Sequence, residues 1–191
     1  LELMGDTPEA QQESKEIIFD ELNRMNRLIA DLMLLARSEQ SNFLQLETLD
    51  ISKLTEEMFS KAKVISEHNW KLESVGVGSI IADRQRLVQA ITNLAHNATK
   101  HTMCQGTISI GSRVTQNSAR FWVKDTGSGI PKEEQERIFE RFQTGTNSNF
   151  TSTGLGLAIV NAIAVAHKGK IELFSKINEG STFTLEIPLN H

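Results

Sequence analysis

The stretch "NLAHNATKH", residues 93–101, gathers two asparagines, two histidines and a lysine within nine positions. On a helix that advances about 100° per residue, Asn97 sits about 40° from Asn93 and Lys100 about 20° to the other side. Three polar groups therefore share one stripe. Leu87, Ile91, Leu94 and Ala98 fall on the opposite side, so such a helix packs by one face and presents two amides and an ammonium from the other. His96 and His101 are about 140° apart around the axis and do not chelate one metal together. An amide carbonyl is a hard oxygen ligand and lysine a point charge, a pairing suited to a magnesium-bound phosphate. A solvated helix face has the same composition, so the neighbouring stretches decide.

Downstream, "VKDTGSGIP" (123–131) reads as a strand ending in Asp125, followed by Gly127 and Gly129, where absent side chains let backbone and a flat ring approach closely. A carboxylate there accepts a hydrogen bond from an exocyclic amine such as that of adenine; an ordinary acidic turn is the plain alternative. Next comes "RIFERFQTGTNSNFTSTGLGLAIV" (137–160). Gly154 and Gly156 open a helix whose unpaired N–H groups and dipole attract phosphate, although capping turns also produce this spacing. Between Gln143 and Thr153 only Phe150 is apolar, which reads as a mobile lid. Phe139 and Phe142 read first as core or hinge residues, with Phe142 kept among the candidate ligand contacts.

The rest of the chain sets the frame. Its 191 residues suit one domain, or a small domain with a helical appendage. A net charge of −4 gives no electrostatic reason to expect nucleic acid. The single cysteine, Cys104, excludes an internal disulfide framework and a cysteine-based zinc cluster. Leu155 to Ala166, the longest largely apolar run, is too short to span a bilayer, and no secretory signal opens the chain. The opening "LELM" reads as the end of an amphipathic helix whose earlier turns lie outside this sequence. After "GDTP", with Asp6 or Thr7 as cap, Ile18, Leu22, Met25, Ile29, Leu32 and Ala36 recur at alternating spacings of four and three. That is the seam of a coiled coil or four-helix bundle. Beyond it the pattern predicts helices at 51–62, 83–100, 132–139 and 155–167. Strands are predicted at 70–75, 79–82, 107–112, 120–124, 170–174 and 182–188. This mixture suggests an α+β sandwich with helices on one face.

In order and spacing, "NLAHNATKH", "DTGSGIP", "FERF" and "TGLGLAIV" resemble the catalytic, ATP-binding domain of the sensor histidine kinases, within the GHKL superfamily shared with gyrase and the mismatch-repair ATPases. The resemblance covers residues 47–191 and implies a two-layer α/β sandwich of the GHKL ATP-binding type. Residues 1–46 are similar to the end of the dimerisation and phosphotransfer helical hairpin. The resemblance implies ATP with Mg²⁺, a homodimer through the hairpin, a response regulator receiver domain as partner, no nucleic acid, and a cytoplasmic location for this part of the protein. It makes Asn97 the Mg²⁺ ligand, supported by Asn93, and brings Lys100 to a phosphate. Asp125 accepts from the adenine amine, Gly127 and Gly129 shape the adenine wall with Ile130 against the ring, and Gly154, Leu155 and Gly156 offer backbone donors to the phosphates. Thr182, in "GSTF", is expected to join Asp125 around the base through a water.

Departures from the family pattern are His101 where tyrosine is common, Thr144 where many members place arginine, with Arg141 as a substitute, and Ser152 and Lys168 at positions often glycine, expected to stiffen lid closure. The implied reaction transfers the ATP γ-phosphoryl group to a histidine on the hairpin. None of His68, His96, His101 or His167 begins the family's phosphoacceptor pattern, so the acceptor is expected before Leu1. A gyrase-type hydrolase is the rival reading; it carries a glutamate where this helix has Asn93, and an amide is no general base. A non-catalytic nucleotide-sensing or dimerisation module is the third.

Overall fold

The computed structural model describes residues 8–40, 42–143 and 153–189. A long helix, α1 (Pro8–Arg37), leads into strand β1 (Glu47–Asp50), helix α2 (Ile51–Lys63), strands β2 (Asn69–Ser74) and β3 (Ser79–Ala82), and helix α3 (Arg84–His101). Strands β4 (Thr107–Val114) and β5 (Ser118–Asp125) follow, then a 3₁₀ turn at Arg137–Phe139, helix α4 (Gly156–Ala166), and strands β6 (Lys170–Lys176) and β7 (Gly180–Pro188). Five strands form one sheet in the order β2-β4-β5-β7-β6, parallel only between β2 and β4; β1 and β3 pair antiparallel as a separate ribbon.

Period-two alternation decides which face of the sheet is buried. Along β5, Ala119, Phe121, Val123 and Asp125 point inward, and along β7 Ser181, Phe183, Leu185 and Ile187 do the same. α2, α3 and α4 cover that face, with Leu87, Ile91, Leu94 and Ala98 of α3 and Ile159 and Ile163 of α4 fully or almost fully buried. The outer face carries ion pairs instead: Arg120 with Glu172 and Glu186, and Lys170 with Glu172 at 2.7 Å. This is the two-layer α+β sandwich that the strand and helix pattern predicts.

Capping fixes where the helices start. Asp50 accepts from the Lys53 N–H at 3.0 Å, and Asp83 from the Arg86 N–H at 2.9 Å, each holding a first-turn donor that lacks a helical partner. Asp83 also accepts from the Gln45 N–H at 2.8 Å, tying the segment after α1 to the start of α3. Its own N–H donates to Nε2 of His167, whose Nδ1 lies 2.8 Å from the Ile163 carbonyl, so this buried histidine fastens the end of α4 to the start of α3.

Two expectations change. The predicted helix at 132–139 is a run of i to i+3 turns, from Glu134 N–H to Pro131 O and from Gln135 N–H to Lys132 O, that closes as the 3₁₀ turn. The Gln135 side chain reaches back to the Ile130 carbonyl at 2.8 Å, which anchors the run to the preceding loop. Lys168 is the αL residue of a helix stop: its N–H bonds Val165 O, the Gly169 N–H bonds Ala164 O, and its φ is 57°. That is a Schellman ending, so the glycine preference at this position belongs to the end of α4 and not to lid closure. Leu1–Met4, the Asp6 and Thr7 cap, Thr144, Phe150 and Ser152 lie outside the described residues.

Candidate functional site

Asp125 closes β5 on the buried face, 5% exposed, at the point where the sheet gives way to the "TGSG" turn. Burial raises its pKa; the backbone N–H groups of Gly127 and Ser181 and the nearby His101 pull it back. The Gly127 N–H lies 2.8 Å from Oδ1. The turn is clamped from two sides. A Cβ on Gly127 would stand 2.2 Å from the His101 carbonyl, and the Ser128 N–H donates to that same carbonyl at 3.3 Å, so the turn rests against the end of α3. Gly129 has φ 71°, and a Cβ there would meet the Lys176 carbonyl at 2.1 Å, so backbone packs on backbone at the β6 end. Ile130 is half-buried against the core and held by its N–H to Ser175 Oγ at 2.8 Å.

The strand register corrects one assignment. Asp125 lies opposite Ser181, and Thr182 lies opposite Lys124. Side chains directly opposite share a face and neighbours along a strand do not, so Thr182 points to the outer face and Ser181 to the side of Asp125. Ser181 Oγ is 2.9 Å from Ser175 Oγ, which also accepts from Ile130 N–H and donates to Gly180 O. Ser181 and Ser175 thus join the Asp125 carboxylate to the Ile130 wall. The alternation of "GSTFTLEIP" offered this in sequence, since counting back by twos from Phe183 lands on Ser181.

On α3, Asn93, Asn97 and Lys100 share the stripe predicted for them. Asn93 and Asn97 are half-buried and Lys100 is exposed. Asn93 donates from Nδ2 to the Gly156 carbonyl at 3.4 Å, which brings the stripe to the first residue of α4. The Asn97 amide makes no hydrogen bond among the described residues and is free to offer its carbonyl oxygen. Partial desolvation of its ammonium by the surrounding protein, then the charge of Arg27, lowers the pKa of Lys100 although the side chain stays solvent-accessible.

At the start of α4, Leu155 is fully buried and anchors the turn through its side chain, with only its backbone left to face outward. A Cβ on Gly156 would meet nothing within 4 Å, which is open space beside unpaired first-turn N–H groups. Gly154, at φ 68°, lies against the backbone of Phe142, whose N–H donates to the Gly154 carbonyl at 3.0 Å. Phe142 itself is 61% exposed at φ 64°, so it is not a core residue; Phe139 is half-buried against the core, edge-on to Phe183 with centroids 6.3 Å apart.

The arrangement has a buried carboxylate at one end, a row of amides and a lysine along one wall, and an open helix N-terminus across from it. For a divalent cation the oxygens on offer are neutral amides, and among the described residues no three His, Cys, Asp or Glu side chains gather. That donor set suits Mg²⁺ shared between one amide, water and phosphate oxygens.

Residues 82–191 match the family described as histidine kinase-, DNA gyrase B- and HSP90-like ATPase. Among curated proteins, the chain is 38% identical to the probable sensor histidine kinase TcrY of Mycobacterium tuberculosis, over 98% of this chain and 40% of TcrY, so it spans about two fifths of that relative. Among solved structures, the Acinetobacter baumannii histidine kinase AdeS matches with a TM-score of 0.75 and 27% identity, over 92% of this chain and 84% of that one. Histidine kinase ThkA, solved in complex with response regulator protein TrrA, matches with a TM-score of 0.76 and 27% identity, over 97% of this chain and 53% of that one.

Proposed function

The chain belongs to the histidine kinase-, DNA gyrase B- and HSP90-like ATPase family, and from that premise we propose that it is the ATP-binding catalytic portion of a sensor histidine kinase. On this reading residues 47–191 bind ATP, and residues 1–46 are the end of a dimerising phosphotransfer hairpin. The γ-phosphoryl group passes to a histidine of that hairpin and onward to a receiver domain aspartate; the pairing of ThkA with TrrA supports a response regulator as partner. The observation that carries the reading is the junction of three elements. The buried Asp125 and its glycine turn are clamped to the end of α3, and the amide stripe of α3 is hydrogen-bonded to the N-terminus of α4.

Each residue has a role that follows from its surroundings. Asp125 accepts the adenine amine, and its burial excludes water from that bond. Asn97 holds Mg²⁺, which when bound offsets charge on the phosphate oxygens. Lys100 and the first N–H groups of α4 hold the phosphates from two sides. Asn93 donates to a backbone carbonyl and has no basic atom with which to activate water, which favours phosphoryl transfer to a side chain over hydrolysis.

Two of the histidines support an acceptor elsewhere. His167 is buried with both ring nitrogens engaged, and His68 is engaged by Ser66 and the Thr102 carbonyl. The test is incubation with γ-labelled ATP, with and without a phosphotransfer hairpin segment supplied in trans. Acid-labile, alkali-stable label on that segment is expected, and none on this chain alone. Free phosphate released at the same rate without the segment would replace the kinase reading by the hydrolase one.

A further inference from the structure

The β6–β7 hairpin clasps the Asp125 end of the site. Gly180 closes on the backbone of Asp125, where a Cβ would stand 2.0 Å from the Asp125 carbonyl, and the Asn178 N–H donates to the Ser128 carbonyl at 2.7 Å. Ile130 is held through both of its backbone groups. Its N–H donates to Ser175 Oγ at 2.8 Å, and its carbonyl accepts from Gln135 Nε2 at 2.8 Å, the same amide that reaches the Ser175 carbonyl at 3.3 Å. Ser175 is therefore the hairpin residue on which the Ile130 wall rests.

The Ser175 hydroxyl has one proton and two lone pairs, and its neighbours decide where each is directed. The Ile130 N–H can only donate, so it takes one lone pair. The Gly180 carbonyl, 3.1 Å away, can only accept, so it takes the proton. Ser181 Oγ, at 2.9 Å, meets the remaining lone pair and donates its own proton there. Ser181 is left with lone pairs alone. It lies opposite Asp125 in the β5–β7 register, on the same buried face, with its N–H on the Asp125 carboxylate. Beside that carboxylate the hairpin thus adds an acceptor and no hydroxyl donor.

We propose that Ser175 is a positioning residue for base selectivity: by directing its proton to Gly180 it makes Ser181 an acceptor beside Asp125, so that the site takes a purine with an amine at its 6-position and refuses one with a carbonyl there. This rests on the ATP-binding reading above and extends it, from the carboxylate that meets the base to the strand that turns the neighbouring donor away.

The test is calorimetric affinity for Mg²⁺–ATP and for Mg²⁺–ITP, whose base carries a carbonyl in place of the amine and a proton on N1, with thermal melts as the control for folding. The parent chain should prefer ATP by at least about tenfold. Ser175→Ala frees the Ser181 hydroxyl to rotate and donate, so the preference should narrow by about fivefold, whereas Ser175→Thr, which keeps the hydroxyl, should retain it. In a Ser181→Ala background Ser175→Ala should change the preference no further, because it acts through Ser181. A merely structural role would weaken ATP and ITP alike in Ser175→Ala; that result would overturn the inference, and so would a threonine variant as tolerant of ITP as the alanine one. Equal affinity of the parent for the two nucleotides would also overturn it while leaving nucleotide binding intact. Failure of the parent chain to bind ATP would overturn both.

Discussion

Asp125→Asn separates the binding role proposed for this buried carboxylate from its part in the fold. In the folded chain without ligand, the substitution removes a charge that burial disfavours, which is a gain. It also leaves one carbonyl oxygen where two carboxylate oxygens stood. The asparagine keeps the Gly127 N–H at 2.8 Å, but one acceptor oxygen then serves the two backbone donors of Gly127 and Ser181, at a cost of about 1–3 kcal/mol. The terms oppose, so the net change in stability is expected within about 2 kcal/mol, a melting shift of no more than about 8 °C for a chain of this size. Nucleotide binding has no such offset. The exocyclic amine loses a charged acceptor worth about 1.5–3 kcal/mol, or roughly 10- to 150-fold in affinity. Melting curves and ATP titration calorimetry on the same samples read both effects. Unchanged affinity would refute the adenine assignment, and a melting drop beyond about 15 °C would make Asp125 a structural residue. The pH dependence follows with its sign. Because the folded pKa is raised above 3.8, the carboxylate's contribution to stability is present below the unfolded pKa and lost as pH rises through the folded one. Binding runs the opposite way, since only the ionised form accepts. ATP affinity should therefore fall on acidification before ordinary carboxylates titrate, and Asp125→Asn should flatten that limb.

Ser181→Ala is expected to weaken ATP several-fold and Thr182→Val to leave it unchanged, because only Ser181 shares a face with Asp125; the reverse outcome in a calorimetric titration would undo the register argument. Gly127→Ala drives a Cβ to 2.2 Å from the His101 carbonyl and should cost about 1–3 kcal/mol in denaturant unfolding, with ATP affinity falling as the turn leaves the end of α3. An unfolding midpoint equal to that of the parent would show that the clamp is loose. Met25→Glu, at a position 52% exposed, should leave monomer stability unchanged and dissociate any dimer formed through α1 by burying an unpaired carboxylate. Sedimentation showing the same dimer for both proteins would place the contact elsewhere.

What the sequence made legible was whatever a single period carries. The four-three spacing along α1, the alternation of β5 and β7, and the polar stripe of α3 all emerge where their residues predict. What it hid depended on partners distant in the chain. β1 has four residues and no pattern of its own; it is a strand because Glu47–Asp50 find Ala82–Ser79. The serine pair at 175 and 181 is joined only when β6 and β7 turn back on each other. Thr182 and Ser181 differ by one step of register, the step that moves a side chain through the sheet. Lys168 departs from its sequence expectation for a different reason. A glycine-favouring position shows that a left-handed residue is wanted there, and here the want comes from ending a helix.

The same distinction bears on α1, whose apolar residues form two stripes and not one. Ile18, Leu22, Met25, Ile29 and Leu32 are 39–59% exposed. The bundle expectation leaves Leu28 and Leu35 uncovered when the first arm is missing; instead Leu35 is 4% exposed and Leu28 half-buried, covered by the nucleotide domain of the same chain. Arg24, Leu28 and Asp31 each precede a member of the exposed stripe by one residue, about 100° around the axis. The two stripes are thus adjacent flanks of one helix. A helix of about thirty residues with an unburied apolar flank needs a partner along it, and on the proposed reading that partner is the rest of the hairpin bundle. Whatever packs there stands beside the domain already docked on the neighbouring flank. On that same reading, adjacent flanks would set an acceptor histidine on the hairpin alongside the nucleotide face, and rotation of α1 about its axis would be a motion that both contacts feel.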